Sequence, residues 1–428
     1  MIDSLEIQPL VRPADATLRP PGSKSITNRA LVCAALATGS SRLTGALASE
    51  DTRVMIDALG RLGIAIDCLD AGQTLHVAGC GGKLPVAAAD LYVANSGTTV
   101  RFLTALVALG RGSYRLDGTP RMRERPIQDL LDTLAQLGVR AHSEMPGGCP
   151  PVVIEADGLR GGRATVRGEV SSQFLSGLLM AAPYALSPLE LVIAGPLVSQ
   201  PYIRMTLAVM KSFGVAIEAD RLERFRVAAP LTYRAVEYDI EPDASAASYF
   251  WAAAAISGGR VAVEGLSRES LQGDVAFCDC LAQMGCPVVY GADRVTVVGG
   301  ALRGIDVDMN AISDTVQTLS AVALFADGPT RIRGVGHIRH KETDRIGALA
   351  TELRKLGAKV DEHVDGLTIV PGKPRGATID TYNDHRMAMS LSLVGLRVPG
   401  VVINDPGCTA KTYPRFFDDL SRLNPARV

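Results

Sequence analysis

Basic and hydroxyl side chains recur at the predicted starts of helices along this 428-residue chain. The stretch PGSKSITNRAL places Lys24, Ser25 and Arg29 in or near the first turn of one of them. This pattern is suited to bind an anion, because the free N–H groups and the dipole of a helix N-terminus favour negative charge. The stretch lacks the G-x-x-x-x-G-K-[ST] spacing of a nucleotide phosphate loop. An ordinary capped helix would explain the serines but not the two basic residues.

Similar groups stand before other predicted helices, in ANSGTTVRFL, RMRERPI, SSQFLSGLL, SQPYI, KETDRI, YNDHRMAM and CTAKTYPRF. Taken singly, each motif is also explained by a capped helix or a solvated turn. If these helix starts converge on one cleft, its lining would include Lys24, Arg29, Arg125, Lys341, Arg345, Arg386 and Lys411. Such a cleft would suit small metabolites that carry several phosphate or carboxylate groups.

Two motifs add acid–base chemistry to the predicted anion site. AISDTVQTL places Asp314 in an apolar region, where desolvation would raise its pKa and favour a general base; a helix N-cap is the alternative. HIRHKETDRIGALA predicts a helix opened by Lys341, Glu342 and Arg345, with two cations on one face of its first turn. Cations there oppose the helix dipole, so we expect a bound anion to resolve the conflict.

The elements that carry these motifs repeat about every 70 residues. Each repeat has a β-rich run ending in a turn and then an amphipathic helix, and the period suits a compact unit used six times rather than a solenoid. A new helix opens at EPDASAASYF, so we expect the chain to divide near 240, and a strand within residues 4–12 could pair with the C-terminal half. Glycines are predicted to end the helices in the left-handed conformation at positions 63, 138, 214, 285 and 357.

The bulk composition restricts the class of protein. Lys and Arg number 44 against 45 Asp and Glu, so a global field for nucleic acid is not expected. The sequence MIDSLEIQPL is unlike a secretory signal, and no apolar run approaches the roughly 18 residues of a membrane span. The eight cysteines show no zinc spacing, so we expect reduced thiols, mostly in the core, of a cytoplasmic protein.

Together the motifs resemble the EPSP synthase family of enolpyruvyl transferases along essentially the whole chain, through the stretches quoted above and DASAASYF. The resemblance implies an α/β fold of two lobes, each built of three βαβαββ repeats (an inside-out α/β barrel), with helix N-termini facing an interlobe cleft. Residues 21–240 would form the lobe with repeats 1–3, mainly the shikimate 3-phosphate side. Residues 1–20 and 241–428 would form the lobe with repeats 4–6, mainly the phosphoenolpyruvate side with the acid and the base.

The resemblance also implies an activity and its site. The enolpyruvyl group of phosphoenolpyruvate would pass to the 5-hydroxyl of shikimate 3-phosphate by addition–elimination, with release of phosphate, in aromatic amino acid biosynthesis. A monomer without metal, organic cofactor, nucleic-acid or membrane partner is implied. The catalytic residues would be Asp314 (base), Glu342 (acid) and Lys24. Shikimate 3-phosphate would bind Lys24, Ser25, Arg29, Ser171, Ser172, Gln173, Ser199, Tyr202, Asp314, His337 and Lys341, and phosphoenolpyruvate would bind Lys24, Gly97, Arg125, Gln173, Arg345, Arg386 and Lys411.

Two positions depart from the family pattern, and two alternatives stay open. His337 stands where the family usually has asparagine, and Phe102 replaces a proline common in part of it. Because Gly97 is retained, we expect the phosphonate inhibitor glyphosate to bind.

One alternative function is that of the sister enzyme that enolpyruvylates UDP-N-acetylglucosamine, but its usual acid is a cysteine in the loop corresponding to GTPRMRERP, and this loop has no cysteine here. The other is a non-catalytic anion-binding or RNA-end-processing module, against which the candidate acid and base argue.

Overall fold

The computed structural model describes residues 3–424. The chain forms two compact units, one spanning Gly22–Ile240 and the other made of the N-terminal residues up to Pro21 together with the chain from Glu241 onward. Each unit has its own buried apolar core and three small β-sheets with helices packed on them. The predicted α/β class is therefore confirmed.

The six sheets contain 23 short strands among the described residues. In chain order these are β1 (Ser4–Ile7), β2 (Asp15–Leu18), β3 (Thr38–Thr44), β4 (Ile66–Leu69), β5 (Thr74–Cys80), β6 (Ala88–Tyr92), β7 (Arg111–Asp117), β8 (Arg140–Ser143), β9 (Val152–Asp157), β10 (Gly162–Arg167), β11 (Leu189–Ala194), β12 (Glu218–Asp220), β13 (Arg224–Val227), β14 (Glu237–Asp239), β15 (Arg260–Glu264), β16 (Val288–Tyr290), β17 (Arg294–Val298), β18 (Asp306–Asp308), β19 (Thr330–Arg333), β20 (Lys359–His363), β21 (Gly366–Val370), β22 (Thr378–Ile379) and β23 (Val401–Asn404).

Twelve α-helices alternate with these strands in the part of the chain that the structure describes. They are α1 (Lys24–Leu36), α2 (Glu50–Arg61), α3 (Gly97–Val107), α4 (Gln128–Gln136), α5 (Ser172–Ala181), α6 (Gln200–Ser212), α7 (Ala244–Ser257), α8 (Phe277–Gln283), α9 (Val316–Ala323), α10 (Arg345–Lys355), α11 (His385–Gly395) and α12 (Phe416–Ser421).

The sheets repeat one topology. In the sheet β6-β7-β9-β8, the strands β6 and β7 are parallel and are joined through α3, and the hairpin β8–β9 follows α4. The sheets β10-β11-β13-β12 and β18-β19-β21-β20 have the same order and the same connections. The predicted repeat of strands and helices is confirmed, and its content is a βαβαββ unit.

Strands remote in sequence complete the other three sheets. β14, at the end of its unit, pairs in parallel with β3, and β2 pairs in parallel with β15. β1 pairs antiparallel with β23 in the three-stranded sheet β1-β23-β22, which confirms the predicted pairing of the N-terminal strand, although the strand ends at Ile7. In each unit, strands that are far apart in the sequence therefore pair within one sheet.

The helices fall into two classes that their sequences explain. In α3 and α11 every residue is buried, and α7, which is apolar all round, exposes only its end; such helices need cover on every side. The helices α2, α4, α6, α8 and α10 instead bury one face and end before a glycine. These glycines have the predicted positive φ, at 83° in Gly63, 82° in Gly138, 87° in Gly214, 109° in Gly285 and 103° in Gly357.

Three further features concern the expected class of protein. No helix among residues 3–424 is long and apolar enough to cross a membrane. Within the same range, no cluster of three or more His, Cys, Asp or Glu side chains could hold a metal ion. All eight cysteines are free thiols: four are buried, Cys80 and Cys408 pack against the two cores, and Cys68 is exposed, so most belong to the core as expected.

Close packing of β5 on α1 predicts a large penalty for one methyl group. A Cβ at Gly79 would lie 2.1 Å from the Ala37 carbonyl oxygen and 2.6 Å from that of Ala34, so Gly79→Ala should lower the free energy of unfolding by about 1–3 kcal/mol. Gly60→Ala is the control: Gly60 is helical with nothing within 4 Å, and the change should be neutral or stabilise by about 0.5–1 kcal/mol. Equal urea-unfolding curves for the two variants would contradict this packing.

Candidate active site

In the unit Gly22–Ile240, the first candidate residue begins a helix. Ser23 caps α1 by accepting a hydrogen bond from the Ile26 N–H, and Lys24 is the first helical residue. The Lys24 Nζ lies 3.5 Å from the Asp51 Oδ2 in the first turn of α2. Asp51 is nearly fully buried, and sequence reasoning had given it no role. The pair fixes the lysine at the adjacent starts of two helices.

Arg29 is a buried cation that connects three helices. Its Nε donates to the Thr206 Oγ1 at 2.7 Å, its Nη1 to the Ser25 carbonyl at 2.8 Å and its Nη2 to the Ser176 Oγ at 3.3 Å. Its guanidinium lies 5.2 Å from the centre of the Phe102 ring, so the residue that departs from the family pattern packs on this arginine. Burial lowers the pKa of Arg29 to about 10. The Arg29 side chain therefore connects α1, α5 and α6 through hydrogen bonds.

Arg125 lies against the first turn of α3, where only a glycine leaves it room. A Cβ at Gly97 would lie 2.3 Å from the Arg125 Nη2. Arg125 is only 4% exposed, and its Nη1 donates to the carbonyl (3.0 Å) and the side-chain oxygen (3.2 Å) of Asn95. A solvated turn, the alternative for the RMRERPI stretch, is therefore excluded for this arginine.

Gln173 joins the starts of α5 and α3. Its Nε2 donates to the Thr98 Oγ1 at 3.2 Å, and its Oε1 accepts from the Arg101 Nη1 at 2.6 Å. Arg101 was not among the predicted site residues. Its spacing was an available signal, because a residue four positions after Gly97 lies on the same helix face.

Three of the four candidate serines lie at the starts of α5 and α6, and the fourth, Ser25, lies in the first turn of α1. Ser171 caps α5 by accepting from the Gln173 N–H at 3.2 Å, and Ser172 is buried beside it. Ser199 is the N-cap of α6, is buried, and has a left-handed backbone with φ of 53°. The Tyr202 carbonyl accepts from Arg29 at 3.3 Å. These contacts connect the starts of α1, α3, α5 and α6 within this unit.

In the other unit, three cations surround Asp314. The Lys341 Nζ lies 2.5 Å and the Arg345 Nη1 3.4 Å from its Oδ1, and the Arg386 Nη2 donates to its Oδ2 at 2.8 Å. Burial alone would raise the pKa of Asp314, but the three positive charges outweigh it and hold the pKa well below the usual range. The prediction of a raised pKa is therefore wrong for the protein without ligand. The N-cap alternative is also wrong, because Asp314 lies inside the 3₁₀ segment Asn310–Thr315 and caps no helix.

Arg345 links Asp314 to two further carboxylates. It is 1% exposed, its Nε donates to the Asp384 Oδ2 at 2.7 Å and its Nη2 to the Glu342 Oε2 at 2.9 Å. Asp384 in turn caps α11 by accepting from the Arg386 N–H at 2.9 Å. The cluster so formed balances three cations with three carboxylates: Lys341, Arg345 and Arg386 with Asp314, Glu342 and Asp384.

The KETDRI motif differs from its predicted conformation. α10 begins at Arg345, after Asp344, whose carboxylate accepts from the Ile346 and Gly347 N–H groups at 3.1 Å. Lys341 precedes the helix, so the predicted pair of cations in the first turn is wrong. Asp344 is an ordinary acidic N-cap, so no bound anion is needed to offset cations at the helix start. Lys341 and Arg345 instead both contact Asp314.

Three more residues belong to this neighbourhood. Burial, followed by the charge of Lys341, lowers the pKa of His337 to about 3, so this histidine is neutral near pH 7. Burial, followed by the charge of Asp314, raises the pKa of Asp274 to about 6, and the Ser245 hydroxyl donates to it. Asp274 was not predicted. Lys411 is largely buried at the end of the 3₁₀ segment Pro406–Lys411, which packs against α11.

The predicted site residues thus form two groups, one in each unit. The unit Gly22–Ile240 carries Lys24, Ser25, Arg29, Gly97, Arg125, Ser171, Ser172, Gln173, Ser199 and Tyr202, and the other unit carries Asp314, His337, Lys341, Glu342, Arg345, Arg386 and Lys411. An anion that binds the second group would offset its cations and raise the pKa of Asp314. The second group therefore places three cations beside the carboxylates of Asp314 and Glu342.

Comparisons with known proteins agree with this chemistry. Residues 11–420 match the family described as EPSP synthase (3-phosphoshikimate 1-carboxyvinyltransferase). The chain is 50% identical to a 3-phosphoshikimate 1-carboxyvinyltransferase of a Nostoc species, with 99% of this chain and 100% of the relative covered, and 51% identical to that of Nostoc punctiforme (97% and 98%). The solved EPSP synthase of Acinetobacter baumannii superimposes with a TM-score of 0.81 at 25% identity, covering 98% of each chain. The chain belongs to the EPSP synthase family.

Proposed function

We propose that this protein transfers the enolpyruvyl group of phosphoenolpyruvate to the 5-hydroxyl of shikimate 3-phosphate and releases phosphate. The observation that carries the proposal is the group in which Lys341, Arg345 and Arg386 surround the partly buried Asp314 beside Glu342. Three cations suit a substrate with both a phosphate and a carboxylate. The two carboxylates supply the proton acceptor and the proton donor that an addition–elimination needs.

The substrates divide between the two groups of residues. Ser171, Ser172 and Ser199 offer hydroxyls, and the start of α5 offers N–H groups, for the 3-phosphate of the shikimate substrate. Lys24, Ser25, Arg29, Gln173, Tyr202, His337 and Lys341 contact the rest of that substrate. Phosphoenolpyruvate is held by Lys24, Gly97, Arg125, Gln173, Arg345, Arg386 and Lys411. The unit Gly22–Ile240 thus serves mainly the shikimate substrate and the other unit mainly the donor.

The addition step needs two proton transfers. Glu342, in its protonated form, gives a proton to the methylene carbon of phosphoenolpyruvate, and the carbon that bears the phosphate oxygen becomes cationic. The 5-hydroxyl oxygen attacks this carbon and passes its proton to Asp314. The phosphate and carboxylate of the donor offset the charges of Arg345 and Arg386, so Asp314 becomes basic enough only when substrate is present.

The elimination step restores the double bond. Glu342, which is a carboxylate after the addition, takes a proton back from the methyl group of the tetrahedral adduct. The C–O bond to phosphate breaks, and phosphate leaves with the bonding electron pair and the proton that Asp314 had accepted. The cations that bound the donor phosphate, Lys24 and Arg125 among them, stabilise the departing charge. No oxidation or reduction occurs, so the atoms balance without another reactant.

The two alternatives are less well supported. The loop 118–126, which would carry a cysteine in the sister enzyme for UDP-N-acetylglucosamine, contains none. A protein that only binds anions would not need two carboxylates, Glu342 and Asp314, that both contact Arg345 in its anion site. A monomer that works in the cytoplasm on these small molecules stays a prediction.

The two purified substrates provide the test, with Asp314→Ala as the decisive variant. Wild type should release phosphate from phosphoenolpyruvate with shikimate 3-phosphate and not with UDP-N-acetylglucosamine. Asp314→Ala should lose about 10²- to 10⁴-fold in kcat because the proton acceptor is gone. Both substrates should still bind it by calorimetry, since the three cations remain. Full turnover in this variant would remove Asp314 from the mechanism.

The contact between Gly97 and Arg125 predicts a defect specific to the donor. Gly97→Ala would displace the Arg125 guanidinium, so the KM for phosphoenolpyruvate should rise about 10- to 100-fold while that for shikimate 3-phosphate stays within about twofold. Gly60→Ala, an open helical glycine in the same unit, is the control. In wild type, glyphosate should inhibit with a constant close to the KM for phosphoenolpyruvate. An unchanged donor KM in Gly97→Ala would separate Arg125 from the donor.

The neutral state of His337 predicts a specific pH behaviour. A cationic histidine would bind the anionic shikimate substrate more tightly as the pH falls, but a pKa of about 3 keeps this form unpopulated above pH 5 or so. The ratio of the KM values for shikimate 3-phosphate in wild type and His337→Asn should therefore stay constant between about pH 5 and 8, since substrate ionisation cancels in the ratio. A ratio that changes around pH 6.5 or so would show that His337 titrates at its ordinary pKa.

A further inference from the structure

A fully buried carboxylate lies on α10, two turns beyond Arg345. Glu352 is 0% exposed, and its Oε1 accepts from the Tyr382 hydroxyl at 2.7 Å. Its Oε2 accepts from the Asp380 N–H at 3.1 Å and lies 2.9 Å from the Lys355 Nζ. Both oxygens are therefore bound to donors, two of which belong to the segment that precedes α11.

That segment has an unusual backbone. Tyr382 and Asn383 are consecutive and both left-handed, with φ of 55° and 52°. This conformation is uncommon for residues other than glycine, and for a bulky side chain such as tyrosine it persists only where surrounding contacts enforce it. Glu352 supplies such contacts on both sides of the turn, through the backbone of Asp380 and the side chain of Tyr382.

The same helix holds the other end of the segment. Arg345, seven residues before Glu352 and on the same face of α10, binds the Asp384 carboxylate through its Nε (2.7 Å) and Nη2 (3.2 Å). The residues between the two attachment points are those of the left-handed turn. Because Arg386 follows directly and binds Asp314, the course of this turn sets where its guanidinium lies.

We propose that Glu352 is a positioning residue for the donor site: it holds the left-handed turn at residues 380–383 against α10 and thereby places Arg386 and Asp384 beside Asp314. In its absence the turn would relax, and Arg386 would leave the position in which it meets both Asp314 and the donor. The inference about catalysis depends on the proposed function, whereas the restraint on the turn does not.

The test combines kinetics with hydrogen exchange on the full chain. Glu352→Leu keeps a similar size but has no acceptor oxygen, so the attachments to the Asp380 N–H and to the Tyr382 hydroxyl are both lost. The KM for phosphoenolpyruvate should rise about tenfold, with that for shikimate 3-phosphate within about twofold. Exchange of the amides in residues 380–387 should become faster than in wild type, and the sheets of the unit Gly22–Ile240 should be unaffected. Tyr382→Phe should show the same pattern more weakly.

Glu362→Leu is the matched control, because Glu362 is an exposed residue of β20 in the same unit and pairs at the surface with Arg354. Unchanged donor KM and unchanged exchange in Glu352→Leu would overturn the proposal. So would faster exchange spread evenly over the unit, which a general loss of stability produces. If Glu352→Leu does not fold, Tyr382→Phe decides by the same two readouts. If wild type releases no phosphate, the proposed function fails while exchange at residues 380–387 still decides whether Glu352 holds the turn.

Discussion

The contact of three cations with one partly buried carboxylate is the interaction on which the candidate site depends. Asp314 meets Lys341, Arg345 and Arg386, and without this carboxylate three positive charges would lie close together with little water between them and no counter-charge at their centre. The cations in turn hold its pKa low, so the carboxylate stays ionised and occupied. We expect an anionic substrate to take over from Asp314 as the counter-charge of these cations, which would leave the Asp314 carboxylate able to accept a proton. In the proposed mechanism, ligand binding and proton transfer are therefore coupled by electrostatics.

The rest of the unit supports that contact. Arg345 and Asp384 form a fully buried pair, whose disruption on one side would cost about 3–5 kcal/mol because the other charge would remain unpaired. Asp384 also caps α11 and so orients Arg386. β2 completes the sheet of β15, β16 and β17, and β1 completes the sheet of β22 and β23. The first and last repeats of this unit are therefore both joined to strands from the start of the chain. Local caps and remote strand pairs thus act together on a few side chains.

Much of the fold and most of the site could be read from the sequence. The amphipathic helices with their left-handed glycines, the β-rich runs and the repeat period were predicted correctly, because each is a local pattern of residue types. The strands β14 and β2, which complete sheets from a distance, gave no such pattern. Asp51 and Asp274 were also missed as members of the site groups, since nothing in their immediate neighbours distinguishes them from ordinary helix residues. Arg101 was missed although its spacing from Gly97 was an available signal.

By itself, the sequence determined where helices start and which charged and hydroxyl groups stand at those starts. Only the tertiary structure decided which charges meet, and hence their ionisation. Asp314 and Arg386 lie 72 positions apart, so the sequence around either residue does not show that the two charges meet. The predicted rise in the pKa of Asp314 was wrong for this reason: burial is a property that local sequence suggests, but the sign of a pKa shift depends on partners that folding brings within a few ångströms.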